Sequence, residues 1–309
     1  MHVPDSRPML VITNSDAGTA DREALDAALG VLRRANEVEV AATSSPDELD
    51  DVLGNAGDRT VVVAGGDGSI HAVVAALHRR GALAGTTIGL VPLGTGNDFA
   101  RTLGLPLEAE AAAEVVATGQ RRRLDLVVDD QDEVTVNSVH LGAGAEAGAK
   151  GARWKERLGS VGVGNVNLGK LGYPIGAVQT ALNPPTLRVR VEVDGEVVAD
   201  LDEKVLMVAV GNGASVGGGT ELTPDADPGD GLVDVLVATP VGTLSRLGYA
   251  LRLPFGRHGE HADVRIVRGT EVRVSGTPFD CNSDGEIDGP FRERTWQVLP
   301  AAYTMLVPG

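Results

Sequence analysis

Two kinds of patterning divide the chain. Up to about residue 125, short apolar runs alternate with stretches whose apolar residues recur at helical spacing. Met9 to Ile12 is a strand-like run, and Asp21 to Arg34 carries Leu25, Ala28, Leu29 and Leu32 on one helical face. Val38 to Ala42 follows as a strand, and Pro46 to Leu53 as a helix with Ser45 as its N-cap. Thr60 to Ala64 and Ile88 to Val91 are buried strands, each ending in glycine-rich turns, and Ser69 to Arg79 and Glu108 to Ala117 are helices. Strand, loop and helix repeated in this way predict a parallel sheet with helices on both faces. Ligands of such sheets bind outside the carboxyl ends of the strands.

After Arg123 the period shortens. Leu124 to Val128, Glu133 to Val139, Leu187 to Val193, Lys204 to Val210, Val233 to Ala238, Val264 to Arg268 and Glu271 to Ser275 read as strands. Asp194-Gly195 is a hairpin signal between two of them. The expected architecture is therefore an α/β domain over residues 1–125 and a mainly antiparallel β domain over 126–298. The segment 299–309 is expected to return to the first domain, with the active site in the interdomain cleft. Helical inserts are expected over Gly148 to Leu182 and Val241 to Arg252.

Composition narrows the function classes. The 309 residues include 41 glycines but only 3 % aromatic residues, and the formal net charge is −16. Glycine on that scale suits close approach of backbone to a phosphate. The scarcity of aromatic platforms and of phosphate-neutralising cations argues against a nucleic-acid partner. Cys281 is the single cysteine, so no intrachain disulfide can form. That fits a reducing compartment. Met1-His2-Val3-Pro4-Asp5 lacks the basic and apolar regions of a secretory signal, and no apolar run approaches a membrane span of about 20 residues. The expected localisation is cytoplasmic, with any membrane contact peripheral.

Two segments carry chemistry. Val61 to Ile70 runs from a strand through Gly65-Gly66-Asp67-Gly68 into a helix beginning at Ser69. Glycines there let amides approach a polyphosphate, and the helix N-terminus adds partial positive charge. Asp67 is placed to reach a phosphate-bound Mg²⁺. Without the second segment, the same residues are equally a tight turn with a capping acid. Pro92 to Arg101 repeats the arrangement on the next strand, with Gly94, Thr95, Gly96, Asn97 and Asp98 able to hold a nucleotide from a second side.

The ordered set of these motifs resembles the diacylglycerol kinase catalytic-domain family, which includes bacterial soluble lipid kinases and is related to sphingosine kinases and NAD kinases. The resemblance covers nearly the whole chain. It continues through Val136-Asn137-Ser138, Gly142-Ala143-Gly144, Gly211-Asn212-Gly213, Gly217-Gly218-Gly219, Pro224 to Asp234, and Asp284-Gly285-Glu286. It implies an ATP site lined by Asn14, Ser15, Asp16, Ala17, Gly18, Thr43, Gly66, Asp67, Gly68, Ser69, Ile70, His71, Ala72 and Thr95. It implies catalytic carboxylates at Asp284 and Glu286, without deciding which is the base. It also implies a structural Mg²⁺ at Asp230, with carbonyls from Asp227 and Leu232, and with Asp125 as a water-linked acid of the nucleotide domain.

The implied reaction is transfer of the γ-phosphoryl group of ATP to the hydroxyl of diacylglycerol or a similar lipid at a membrane surface. Departures from the family pattern are Ser15 for a usual proline, Ser69 for threonine, and His71-Ala72 for Asn-Glu. Arg153, Trp154, Lys155 and Arg157, before the apolar stretch Val161 to Val178, are the candidate headgroup contact. A core helix and loop is the competing reading of that stretch. The alternatives are a kinase of a soluble substrate, as NAD kinases are, and a nucleotide- or metal-binding protein without turnover. A homodimer is compatible with the sequence.

Overall fold

The computed structural model describes residues 8–15, 19–143, 186–239 and 258–309, together with Ser245 and Arg252. The helical inserts expected over Gly148–Leu182 and Val241–Arg252, the basic-apolar stretch from Arg153 to Val178, and Asp16, Ala17, Gly18 and Gly144 lie outside these residues, Ser245 and Arg252 apart. The chain divides into two units, Met1–Leu126 with Leu299–Gly309, and Val127–Val298.

In the first unit the elements are β1 (Met9–Asn14), α1 (Thr19–Leu32), β2 (Val38–Thr43), α2 (Pro46–Gly54), β3 (Thr60–Gly65), α3 (Asp67–Arg79), β4 (Thr87–Pro92), α4 (Asp98–Thr102), α5 (Ala109–Thr118) and the start of β5 (Gln120–Asp129). Strands β2, β1, β3 and β4 lie side by side in that order, all parallel. The returning tail of the last strand adds parallel to β4 through Thr304 and Met305. Valine and isoleucine fill these strands because both faces are covered: every residue from Thr60 to Ala64 is buried. Met9, Val11, Val62 and Ala64 pack under α1 and α5 with Leu29, Leu32, Ala113 and Val116. By strand alternation Val61 and Val63 face the other side. There α3 contributes the buried Ile70, Val73, Val74 and Leu77.

Helix α2 begins as the sequence predicts. Ser45 is in the extended region and its side chain accepts from the Glu48 amide, while Glu48 Oε2 accepts from the Ser44 amide at 2.7 Å. This reciprocal arrangement satisfies amides that the first turn leaves open. Helix α1, expected over Asp21–Arg34, runs instead two residues earlier at each end.

The second unit is antiparallel. Its strands are the end of β5, β6 (Val134–Thr135), β7 (Ser138–Gly142), β8 (Val189–Val193), β9 (Glu196–Ala199), β10 (Met207–Gly211), β11 (Ser215–Val216), β12 (Thr220–Glu221), β13 (Val233–Ala238), β14 (Val264–Gly269), β15 (Glu271–Ser283) and the larger part of β16 (Glu286–Val307). One run of neighbours is β14-β13-β10-β7-β15-β16. Strand β15 pairs β8 through Val272–Gly276 and β7 through Cys281–Ser283, so one strand serves two ladders. The core between them holds Val139, Leu141, Val191, Val208, Val235, Val274 and Trp296. Cys281 is buried in it, and burial pushes its thiol up to about 12, which leaves it inert as a nucleophile. The β8–β9 hairpin turns at Asp194-Gly195, both at positive φ (49° and 84°), as a two-residue hairpin turn requires.

Two strands differ from expectation. The run Glu133–Val139 is not one strand: it breaks at Val136-Asn137 into β6 and β7. The strand expected to end at Ser275 continues to Ser283, with register shifts between Ser275 and Phe279 and between Phe279 and Cys281. Gly276 (φ 149°) absorbs the first of them. No helix among the described residues is long and apolar enough to cross a membrane.

Candidate functional site

The first unit gathers its glycine loops at the carboxyl ends of neighbouring strands. Asn14 and Thr43 are register partners at the ends of β1 and β2, and the Ser15 amide donates to the Thr43 carbonyl at 3.1 Å. The next two strand ends, of β3 and β4, are held together at the backbone level. The Leu93 amide donates to the Gly65 carbonyl at 3.0 Å. A Cβ on Gly94 would stand 2.6 Å from Gly66 Cα, and one on Gly66 would stand 3.0 Å from Gly94 Cα. Both positions are glycine because two backbones touch there, and no side chain fits between them.

Asp67 fixes this contact from the side. Its Oδ1 accepts from the Phe99 amide at 3.0 Å, tying the first turn of α3 to the start of α4. The remaining oxygen, Oδ2, would lie 2.9 Å from a Cβ on Gly96, so glycine at 96 keeps it uncovered. Asn97 adopts the left-handed region (φ 54°) and its Nδ2 donates back to the Gly94 carbonyl at 2.7 Å. Its Oδ1 is buried with no hydrogen-bond partner.

Helix α3 opens on Gly66 without a side-chain cap, and Gly68 has open space where a Cβ would be. The other predicted contacts divide. Ser69 sits against Gly65, whose Cβ would come 2.3 Å from Ser69 Oγ. His71 and Ala72 are half-buried on the same helix, and Asp98 is buried at the head of α4. Ile70 is 1 % exposed and points into the core, so only its backbone belongs to the loop.

The second unit carries the hairpin Asp284-Gly285, both at positive φ (50° and 103°), which turns β15 into β16. The two acids beside it differ completely in environment. Asp284 Oδ2 accepts from the Val136 amide at 2.7 Å, and its Oδ1 from the Asn137 and Ser138 amides at 2.9 and 3.0 Å. In return the Asp284 amide donates to the Ser138 carbonyl at 3.0 Å. This clamp is the reason the strand breaks at Val136-Asn137: amides that would serve a ladder are turned onto a carboxylate. Glu286, by contrast, is exposed, and its side chain has no hydrogen-bond or ion-pair partner among the described residues.

Asparagines complete the clamp, and sequence reading gave them no role. Asn212 Nδ2 donates to the Val136 carbonyl at 2.7 Å, Asn137 Nδ2 donates to the Ser215 carbonyl at 2.8 Å, and the Asn137 carbonyl accepts from the Asn212 and Gly213 amides. The signal for them is a buried asparagine interrupting an otherwise valine-rich run. Beneath them Ser138 Oγ lies 2.9 Å from His140 Nε2. His140 is buried, and burial pulls its imidazole down to about 4 despite the opposing field of Asp284.

Of the donors expected to hold a structural Mg²⁺, the Asp230 carboxylate is already engaged. Asp230 Oδ1 accepts from the Leu232 amide at 3.0 Å, and its Oδ2 is ion-paired to Arg268 Nη2. The Asp227 carbonyl, the atom expected to face the ion, accepts from the Asp230 amide at 3.4 Å. Asp125, in the first unit, accepts from the Ala301 amide at 2.6 Å. No group of three or more metal-ligating side chains occurs among the described residues. As it stands, the Asp230 carboxylate fits a guanidinium rather than an octahedral ion.

Comparison with known proteins agrees with this architecture. Residues 8–128 match the diacylglycerol kinase catalytic domain, and 156–307 match the YegS C-terminal NAD kinase beta sandwich-like domain. A "Probable lipid kinase YegS-like" protein of Xanthomonas euvesicatoria is 31% identical, with 94% of each chain covered. A "Diacylglycerol kinase" of Mycobacterium tuberculosis is 30% identical, over 82% of this chain and 78% of that protein. A crystal structure of a diacylglycerol kinase from Bacillus anthracis str. Sterne superposes with a TM-score of 0.72 at 20% identity, over 98% of this chain and 97% of that one, and shares the fold. The chain belongs to the diacylglycerol kinase family of lipid kinases.

Three outcomes follow from this geometry. Gly94→Ala drives a methyl group into the Gly66 backbone, so it lowers stability by about 1–3 kcal/mol in urea unfolding. Asp284→Asn replaces one acceptor oxygen by a donor facing an amide and costs about 1–3 kcal/mol, whereas Glu286→Gln stays within about 0.5 kcal/mol of the parent. His140 ties stability to pH: the unfolded imidazole takes up a proton near 6.5 and the folded one only near 4. Its contribution is therefore full above about pH 6.5 and is lost as pH falls toward 4, the loss amounting to about 2 kcal/mol at pH 5. Urea midpoints compared between pH 7 and pH 5 should fall less for His140→Gln than for the parent.

Proposed function

We propose that the protein transfers the γ-phosphoryl group of ATP to the hydroxyl of diacylglycerol or a closely similar lipid. The observation that carries this reading is the backbone contact of Gly66 with Gly94, which joins two glycine loops at the ends of consecutive parallel strands. Such loops bring amides and an uncapped helix N-terminus to one place, the arrangement that accommodates a polyphosphate. The lipid class rests on the relatives, two of which are named a lipid kinase and a diacylglycerol kinase.

The residues divide the work. Gly65, Gly66, Gly68, Ser69, Gly94 and Thr95 hold the phosphates, and Asn97 shapes the second loop by donating from its Nδ2 to the Gly94 carbonyl. Asp67 spends one oxygen on the Phe99 amide and keeps the other uncovered behind Gly96, where it would hold the Mg²⁺ that accompanies the nucleotide. Bound with ATP, that ion neutralises charge on the transferring group.

Glu286 acts as the base that accepts the lipid hydroxyl proton, because its carboxylate is exposed and uncommitted. Asp284 is a positioning residue: its oxygens are taken up by three amides, and it sets the hairpin from which Glu286 projects. Peripheral contact with a lipid surface belongs to the same proposal.

The test is phosphoryl transfer from radiolabelled ATP into diacylglycerol mixed micelles, with NAD and fructose 6-phosphate as competing acceptors. Label should enter the lipid alone, and transfer to a soluble acceptor with none to lipid would overturn the assignment. In the same assay Glu286→Gln should lose about 10²–10⁴ in turnover at unchanged melting temperature. A fully active Glu286→Gln enzyme beside a thermally intact but inactive Asp284→Asn enzyme would reverse the two roles.

A further inference from the structure

The acidic turn that follows Pro224 places Asp225, Asp227 and Asp230 just before β13, and Asp234 on that strand. Asp234 is 2 % exposed, and a carboxylate so enclosed requires a partner cation. Desolvation holds its carboxyl above the ordinary range, and the fields of Asp230 and Asp225 add to that, with Arg268 opposing.

The partner comes from the neighbouring strand. Arg268 on β14 stands directly opposite Asp234 in the antiparallel register. Its Nε lies 3.2 Å from Asp234 Oδ2, and its Nη2 pairs with Asp230 Oδ2. The second Asp230 oxygen accepts from the Leu232 amide, across Gly231 at positive φ (81°). One planar fork thus bridges a buried strand acid and the acid of the turn, and closes the loop between them.

We propose that the Arg268 guanidinium is the resident cation of this turn, serving in place of a divalent ion. Guanidinium is suited to that position because it is charged at every working pH, and its donors are fixed in a plane that matches two carboxylates at once. A hard divalent ion would need oxygens that here already accept from Arg268 and from the Leu232 amide. Metal dependence of the protein is then confined to the nucleotide, and the second unit folds equally well without free Mg²⁺. The inference does not rest on the lipid-kinase reading, since no nucleotide or lipid enters its test.

The experiment is thermal unfolding of the purified full chain, without nucleotide, in excess EDTA and in millimolar Mg²⁺. The parent should melt at the same temperature in both. Arg268→Met strands Asp234 and should lower the melting temperature by roughly 5–10 °C. Arg268→Lys keeps a cation but cannot bridge both acids, so it should fall between the two and stay insensitive to Mg²⁺; it carries the test if the methionine variant does not fold. A Mg²⁺-dependent rise in the parent that Asp230→Asn abolishes would overturn the proposal. So would a parental melting temperature for both Arg268 variants.

Discussion

An amide that leaves its ladder needs another acceptor, and in this chain aspartate side chains repeatedly supply it. Asp284 takes three amides where β6 gives way to β7. Asp67 takes the Phe99 amide between two glycine loops, Asp125 takes the Ala301 amide, and Asp194 takes the Thr270 and Glu271 amides behind a hairpin. Each of these carboxylates joins segments distant in sequence. The formal charge of −16 is therefore partly an internal feature, because part of the acidity serves the backbone rather than the solvent.

That constraint explains what the sequence disclosed and what it concealed. The parallel strands were legible because valine and isoleucine runs such as Thr60–Ala64 are buried on both faces and bounded by glycine. Their pattern is local, and so is the Ser45 cap of α2. The break inside Glu133–Val139 was not legible, because its cause lies 148 residues away in Asp284. The run of β15 past Ser275 was hidden by Gly276-Thr277-Pro278, which reads as a stop but acts as a bulge within a longer strand.

The candidate site was legible in the same measure. Residues that contribute through their own backbone, Gly65, Gly66, Gly68, Gly94 and Gly96, announce themselves by composition and spacing. Residues that act through a distant partner do not. Asp284 and Glu286 look equivalent in sequence, as two acids around a glycine, and only the amides of Val136, Asn137 and Ser138 separate them. Asp230 reads as a metal ligand until Arg268, 38 residues later, is found on the strand beside it.

The identities of the two hairpin acids match their separate environments. At 284 the backbone is left-handed (φ 50°), a region that aspartate tolerates better than longer or branched side chains do. The side chain there must also be short, so that its oxygens reach three successive amides without a methylene to spare. Glutamate at that position would push the carboxylate beyond the amides it has to meet. At 286 the surroundings are the opposite: the group stands at the start of β16, exposed, and the base role proposed for it asks for extension from the hairpin toward a lipid hydroxyl. An extra methylene gives that reach. Exchanging the two acids would keep the charge and the composition while removing both the clamp and the reach, so the order Asp-Gly-Glu has a physical reason that net charge alone does not contain.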